Sequence, residues 1–166
     1  MYNPFDLVMY GIHGICKIVA IEEKIVDRKP VSYYVLEPIA QPGTRYYIPM
    51  HNSVAVGKLS PILSRPELEV LLRDPEVRSS AWIEDDNRRK QYYKDLMTSG
   101  NRQALMRMVH TLVRRRRDQL AHGKKFHQCD DNFLKDAQKL LDIEFSIVLD
   151  LPRESVRSYM DQVFSE

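Results

Sequence analysis

Through the first sixty residues, apolar positions alternate with polar ones or run together in short stretches. After that they fall into a helical period. Leu7 to Tyr10 reads as a short strand, and Gly11 to Gly14 as a turn whose two glycines permit positive φ. Ile15 to Ile21 is apolar on both parities apart from Lys17, as in a strand of a small closed barrel. Asp27-Arg28-Lys29-Pro30 is a polar turn. Val31 to Leu36 and Thr44 to Ile48 are further strands, rich in β-branched and aromatic residues, with Gln41-Pro42-Gly43 turning between them.

Beyond Lys58 the pattern predicts helices. Ser64-Arg65-Pro66-Glu67 is a capping box with proline near the first helical position, opening a short helix through Arg73. A second helix is expected from Glu84 or Asp85 to Thr98, stopped by Gly100. Asn101 caps a third, which ends before Gly123. Asp130 caps a fourth through Leu149, with Phe133, Leu134, Ala137, Leu140, Leu141, Phe145 and Val148 on one face. Pro152 begins a fifth, ending near Phe164. The fold class is therefore α+β: a small SH3-like or Tudor-like β-barrel over 1–60, then an all-α domain over 61–166. So small a barrel has little room for an active-site cavity and serves better as a docking surface.

The 166 residues are 43% apolar and 29% charged, enough for a buried core. No stretch is long and apolar enough for a membrane span. Asp6 falls too early for a secretory leader. Cys16 and Cys129 form no CxxC and suit a reducing cytoplasm, the expected location. Net charge is only +2, but it is segregated. Asn87 to Lys125 holds 12 Lys and Arg against Asp95 and Asp118, a local +10. Both neighbouring segments are acidic. Such concentration is the footprint of a polyanion partner or, alternatively, a solvated helix face.

On the third helix, Ala104, Leu105, Met108, Val109, Leu112 and Val113 make an apolar stripe. Gln103, Arg107, His110, Arg114 and Arg117 fall opposite it. On the second, Arg88 and Lys94 point away from Tyr92, Leu96 and Met97. Acids at i,i+4 spacing, which a merely solvated face would carry, are nearly absent, so phosphate contact is the favoured reading. His122, His127 and Cys129 complete no zinc pattern. Glu84-Asp85-Asp86 reads as helix-dipole partners rather than a Mg²⁺ site. No P-loop, GxSxG or HExxH occurs, and Cys16 reads as core. Neither an enzyme, nor a cofactor, nor a small-molecule substrate is expected. Trp82, the only tryptophan, is either a plug at the head of the helical domain or a wedge for an unpaired base. Arg45-Tyr46-Tyr47-Ile48 is either core strand or an exposed edge that another sheet extends.

These features together resemble the CarD/CdnL family of bacterial RNA polymerase-binding transcription regulators over nearly the whole chain. The resemblance is carried by Asp6 to Gly14, Tyr34-Val35-Leu36 and Tyr47-Ile48-Pro49. Downstream it rests on Trp82, Arg88-Arg89, Ser99-Gly100, Leu112-Val113-Arg114-Arg115 and the helix from Phe133 to Leu149. It implies a Tudor-like domain that docks on the polymerase β subunit by strand pairing. It also implies a helical domain that contacts promoter DNA, largely without reading sequence, at the upstream edge of the transcription bubble. There the tryptophan acts as a wedge, and the lifetime of the open complex changes. On this chain the implied polymerase face is Lys24, Arg45, Tyr46, Tyr47 and Ile48. The implied DNA face is Trp82, Arg88, Arg89 and the 114–117 arginines, Arg115 among them; the charge pattern adds Lys94, Arg107, Lys124 and Lys125. One departure is that Ile83 to Asn87 inserts about one extra helical turn between Trp82 and Arg88, which displaces or rotates the tryptophan. The runner-up is a protein-docking adaptor whose basic face binds RNA or is only solvated. A metal-dependent nuclease ranks third.

Overall fold

Asp27 and Arg28 both adopt the left-handed region, φ 49° and 64°, and this two-residue turn pairs the longest strands of the chain. The computed structural model describes residues 1–165, with side chains to 163; Glu166, the end of the expected helical domain, lies outside the described residues. The chain divides into two units between Ile62 and Leu63.

The first unit is a five-stranded antiparallel sheet in the order β4-β3-β2-β1-β5. Its strands are β1 (Leu7–Tyr10), β2 (Ile15–Val26), β3 (Lys29–Pro38), β4 (Tyr46–Pro49) and β5 (Leu59–Pro61). A 3-10 turn over Gly11–His13 joins β1 to β2, closed by Gly14 at φ 74°. The short helix α1 (Ser53–Val56) follows β4, capped by the Asn52 side chain. Val8, Cys16, Ile18, Tyr34, Leu36, Ile48 and Leu59 pack together as the core of this unit. Burial pushes the Cys16 thiol up to about 12, in keeping with a core role. One feature differs from the sequence reading. Lys29 and Pro30 belong to β3 rather than to the turn, so the hairpin is longer than its apolar run. The antiparallel five-stranded sheet is compatible with the expected Tudor-like domain; among the described residues no register joins β4 to β5.

The second unit is helical. Its elements are α2 (Arg65–Leu72), α3 (Pro75–Arg78), α4 (Asp86–Ser99), α5 (Arg102–Ala121), α6 (Gln128–Leu149) and α7 (Arg153–Ser165). The Ser64 capping box forms with both arms, and it holds the Glu67 carboxyl below its usual range. Gly100, left-handed at φ 70°, ends α4, and the Asn101 side chain caps α5. The core joins Leu68, Leu72 and Val77 to Tyr93, Leu105, Met108, Leu112, Leu134, Ala137, Leu141, Phe145 and Val156. Two expectations are corrected. Asp130 does not cap α6, which begins at Gln128 after His127; it sits inside the first turn and is 3% exposed. Tyr93 rather than Tyr92 faces inward from α4, because the buried positions are Arg89, Tyr93, Leu96 and Met97.

Candidate polymerase edge and nucleic-acid interface

In the β unit, the candidate docking residues lie along β4, an edge strand. Tyr33, Tyr34, Val35 and Leu36 pair with Pro49, Ile48, Tyr47 and Tyr46 respectively. The Met50 N–H donates to the Ser32 carbonyl at 2.9 Å. By antiparallel alternation, Ile48 and Tyr46 then bond toward β3, while Tyr47 turns its N–H and C=O outward. Pro49 also faces outward but has no N–H, so the edge offers a donor at Tyr47 and none at Pro49.

The side chains follow the same alternation. Ile48 is 4% exposed, belongs to the core and bonds toward β3, so it offers the edge neither its side chain nor its backbone groups and only sets the register. Tyr46 is half-buried against Tyr10 and His13, at centroid distances of 5.5 Å and 4.4 Å. Tyr47 stands exposed on the other face. Lys24 Nζ lies 3.8 Å over the Tyr47 ring, and Tyr33 meets the same ring edge-on at 6.4 Å. Arg45 is half-exposed, with a loose pair to Glu37 at 3.9 Å. Lys24, Arg45 and Tyr47 therefore form an exposed group beside an unpaired backbone edge. Sequence reasoning missed Tyr33, which joins them only through strand pairing.

In the helical unit, the basic run is divided by its surroundings. Arg89 is 4% exposed. Its Nε and Nη2 donate to the two carboxylate oxygens of Asp130 at 2.9 and 3.0 Å, and Nη2 also reaches Asp86 at 2.8 Å. Its Nη1 donates to the Ile83 carbonyl at 2.9 Å. Burial acts to lower the Arg89 pKa, but the two carboxylates more than offset it and hold it above its ordinary value. Arg89 is therefore an interior residue and not part of the exposed cationic face. Desolvation first, then the Asp130 charge, pushes the Tyr93 phenol up to about 12.

Trp82 packs half-buried against the helical core. Two guanidinium groups lie over its ring, Arg89 at 4.2 Å and Arg115 at 4.6 Å. Just before it, the Ala81 N–H donates to Thr111 Oγ1 of α5 at 3.1 Å. Arg116 turns elsewhere, toward Asp131 at 3.4 Å; Lys135 and then Arg116 hold that carboxyl below its usual range. Arg107 pairs loosely with Glu76 at 3.7 Å. Arg88, Lys94, Arg114, Arg117, Lys124 and Lys125 are exposed and make no ion pair among the described residues. Arg114 and Arg117 flank a groove of about 710 Å³ between α5, α6 and α7, floored by Met106, Val113, Leu141 and Phe145. The 114–117 run thus fans out over three environments: the groove, the Trp82 ring and an acidic helix start.

Among the described residues, no group of three or more His, Cys, Asp or Glu side chains comes together as a metal site. Among them, too, no helix is long and apolar enough to cross a membrane. Asp85 and Asp86, considered above as cation ligands, are occupied locally: Asp85 caps α4 and Asp86 pairs with Arg89.

No curated protein matches the chain. Residues 2–62, which take in every strand and the free β4 edge, match the CarD-like/TRCF RID domain family. The β unit of this chain is thus similar to the RNA polymerase-interacting domain found in CarD-like proteins.

Proposed function

We propose that this protein is a non-enzymatic, cytoplasmic transcription regulator that docks on the β subunit of RNA polymerase and touches promoter DNA near the upstream edge of the transcription bubble. Docking occurs by strand addition: a β-subunit strand pairs with the outward N–H and C=O of Tyr47, and Lys24, Arg45 and Tyr47 fix register and orientation. Pro49 ends the productive ladder on that side. The helical unit then brings Trp82 and its exposed cations to the duplex. Arg88, Lys94, Arg114, Arg117, Lys124 and Lys125 neutralise phosphates without reading bases. Held at the bubble edge, the tryptophan prolongs or shortens the life of the open complex.

The observation that supports this reading most strongly is the unpaired outward edge of β4 within a polymerase-interacting domain. The test uses full-length protein and promoter open complexes challenged with competitor DNA. Wild-type protein is expected to change complex lifetime and to be captured by polymerase. Tyr47→Pro, which removes the outward donor, is expected to lose both. A folded Tyr47→Pro variant with normal capture would falsify the strand-addition mode. Normal capture by wild type with no change in promoter complexes would favour the adaptor reading.

A further inference from the structure

Arg89 is the most heavily bonded side chain near Trp82, yet its guanidinium is withdrawn from solvent. We propose that Arg89 is a positioning residue: tethered by Asp130 and Asp86, it fixes the Trp82 ring and the Ile83 carbonyl, so that an ion pair between α4 and α6 sets the orientation of the tryptophan.

Three observations converge on this assignment. First, the Arg89–Asp130 pair is bidentate, with both partners about 5% exposed or less, so the plane of the guanidinium is fixed rather than free to rotate. Second, that plane lies 4.2 Å from the Trp82 centroid, and the same group holds the carbonyl of the next residue, Ile83, at 2.9 Å. Ring and backbone at the tryptophan are therefore referred to one rigid group. Third, the Trp82 Nε1 is buried without a hydrogen-bond partner among the described residues, so the indole has no polar anchor of its own. Arg115 contributes a second cation over the ring. Its Nε is buried without a partner and it makes no ion pair among the described residues, so its plane is not held as that of Arg89 is.

The segment from Ile83 to Asn87 separates the tryptophan from the arginine pair. It lets the chain turn so that Arg89, near the start of α4, reaches back to the ring and to Asp86 at once. Arg89 acts through Trp82. Its consequence at DNA rests on the wedge reading proposed above, while its effect on the indole does not.

Trp82 is the sole tryptophan, so emission excited selectively from tryptophan reports this site alone. Removing one member of a buried pair threatens folding, whereas replacing both with apolar groups is often tolerated. The decisive variant is therefore the double substitution Arg89→Met with Asp130→Leu, tested in the full chain. A retained helical circular dichroism signal with red-shifted emission and stronger acrylamide quenching supports the proposal; unchanged emission and quenching in the folded variant overturns it. If the double variant does not fold, Asp86→Asn decides, since it loosens one arm of Arg89 at an exposed position. Raised quenching then supports the proposal and unchanged quenching overturns it. Open-complex lifetime separates the two ideas. With emission shifted, a lifetime effect about tenfold smaller, equivalent to about 1.4 kcal/mol, supports both. Shifted emission with a full lifetime effect keeps the positioning role and discards the wedge.

Discussion

The β unit offers a partner backbone groups, the outward N–H and C=O of Tyr47 on an unpaired edge; the helical unit offers side chains, a set of exposed cations and a half-buried indole. The difference decides how each surface can fail. A backbone edge exists as long as the sheet does and tolerates most substitutions except proline. A side-chain surface exists only while its supports hold, and here the supports are themselves charged. Two buried pairs, Arg89 with Asp130 and Arg102 with Glu144, tie α4 and α5 to α6. Arginines that a count of charges assigns to the outer face are consumed in building the scaffold beneath it.

The largest test of that contrast is Glu144→Ala. Glu144 is fully buried and accepts from Arg102 Nε and Nη2 at 3.0 and 2.7 Å and from the Leu63 N–H at 3.3 Å. Removing it strands a buried guanidinium, an expected loss of about 3–5 kcal/mol from the helical unit. Denaturant titration followed by Trp82 emission measures that loss, and polymerase capture is expected to survive it. Capture lost in parallel with helical stability would mean that the edge and the scaffold do not fail separately.

Next comes Trp82→Ala. The ring is half-buried under two guanidinium groups, so the stability cost should fall below the 3–5 kcal/mol typical of a fully enclosed aromatic. If the ring stacks on a base, about 1–3 kcal/mol of binding is at stake, a change in open-complex lifetime of about 5- to 150-fold. The spacing of Trp82 from Arg88, longer than the resemblance implies, sets the expectation at the lower end. A folded variant with complexes of wild-type lifetime would make the tryptophan purely structural.

Local signals in the sequence located most elements because their causes are local. The Ser64 capping box, the Asn101 cap, the Gly100 stop and the Gly11 to Gly14 turn each depend on residues within four positions. What escaped was set at a distance. Asp130 looked like an N-cap because a capping aspartate and a buried partner of Arg89, 41 residues away, carry the same local signature. Adjacent tyrosines at 92 and 93 differ by 100° of helix, and only packing against Phe133, 5.6 Å from Tyr93, selects the inward one. The strand β5, three residues ending in Pro61, is too short to announce itself. The candidate site divides the same way: β4 was legible from its residues, whereas the sorting of arginines into exposed and consumed depends on which carboxylates α3, α4 and α6 bring near.

That sorting predicts a smaller phosphate footprint than the local charge of +10 suggests. With about four to six phosphates neutralised, log K against log salt should fall with a slope of about −4 to −5 on duplex DNA. Replacing Arg114 and Arg117 together with alanine should make the slope shallower by about two. The same change at Arg116, whose charge is paired with Asp131, should move it less. Equal changes from the exposed pair and from Arg116 would show that pairing does not decide which arginines reach DNA.

The smallest expected effect is a pH dependence confined to the helical unit. His110 sits half-buried on α5, where burial first, then the charges of Arg114, Arg78 and Arg117, lowers its pKa from 6.5; a hydrogen bond with the Arg78 backbone acts in the opposite direction. Asp142 of α6 and Arg157 and Asp161 of α7 share the groove it lines. Because the folded pKa is depressed, the unfolded chain takes up the proton first as pH falls. The contribution of His110 is therefore whole above about 6.5, declines as pH drops through the lowered folded value, and is constant below it. Between pH 7.5 and 5 the unfolding free energy of the wild-type helical unit, read from urea titration, should thus fall further than that of His110→Gln, by less than about 1 kcal/mol given partial exposure. Arg114→Ala with Arg117→Ala should shrink this difference, since two of the three lowering charges are gone. A difference between wild type and His110→Gln that stays constant over that range, or that persists undiminished without the two arginines, would place His110 outside the field of the exposed cations.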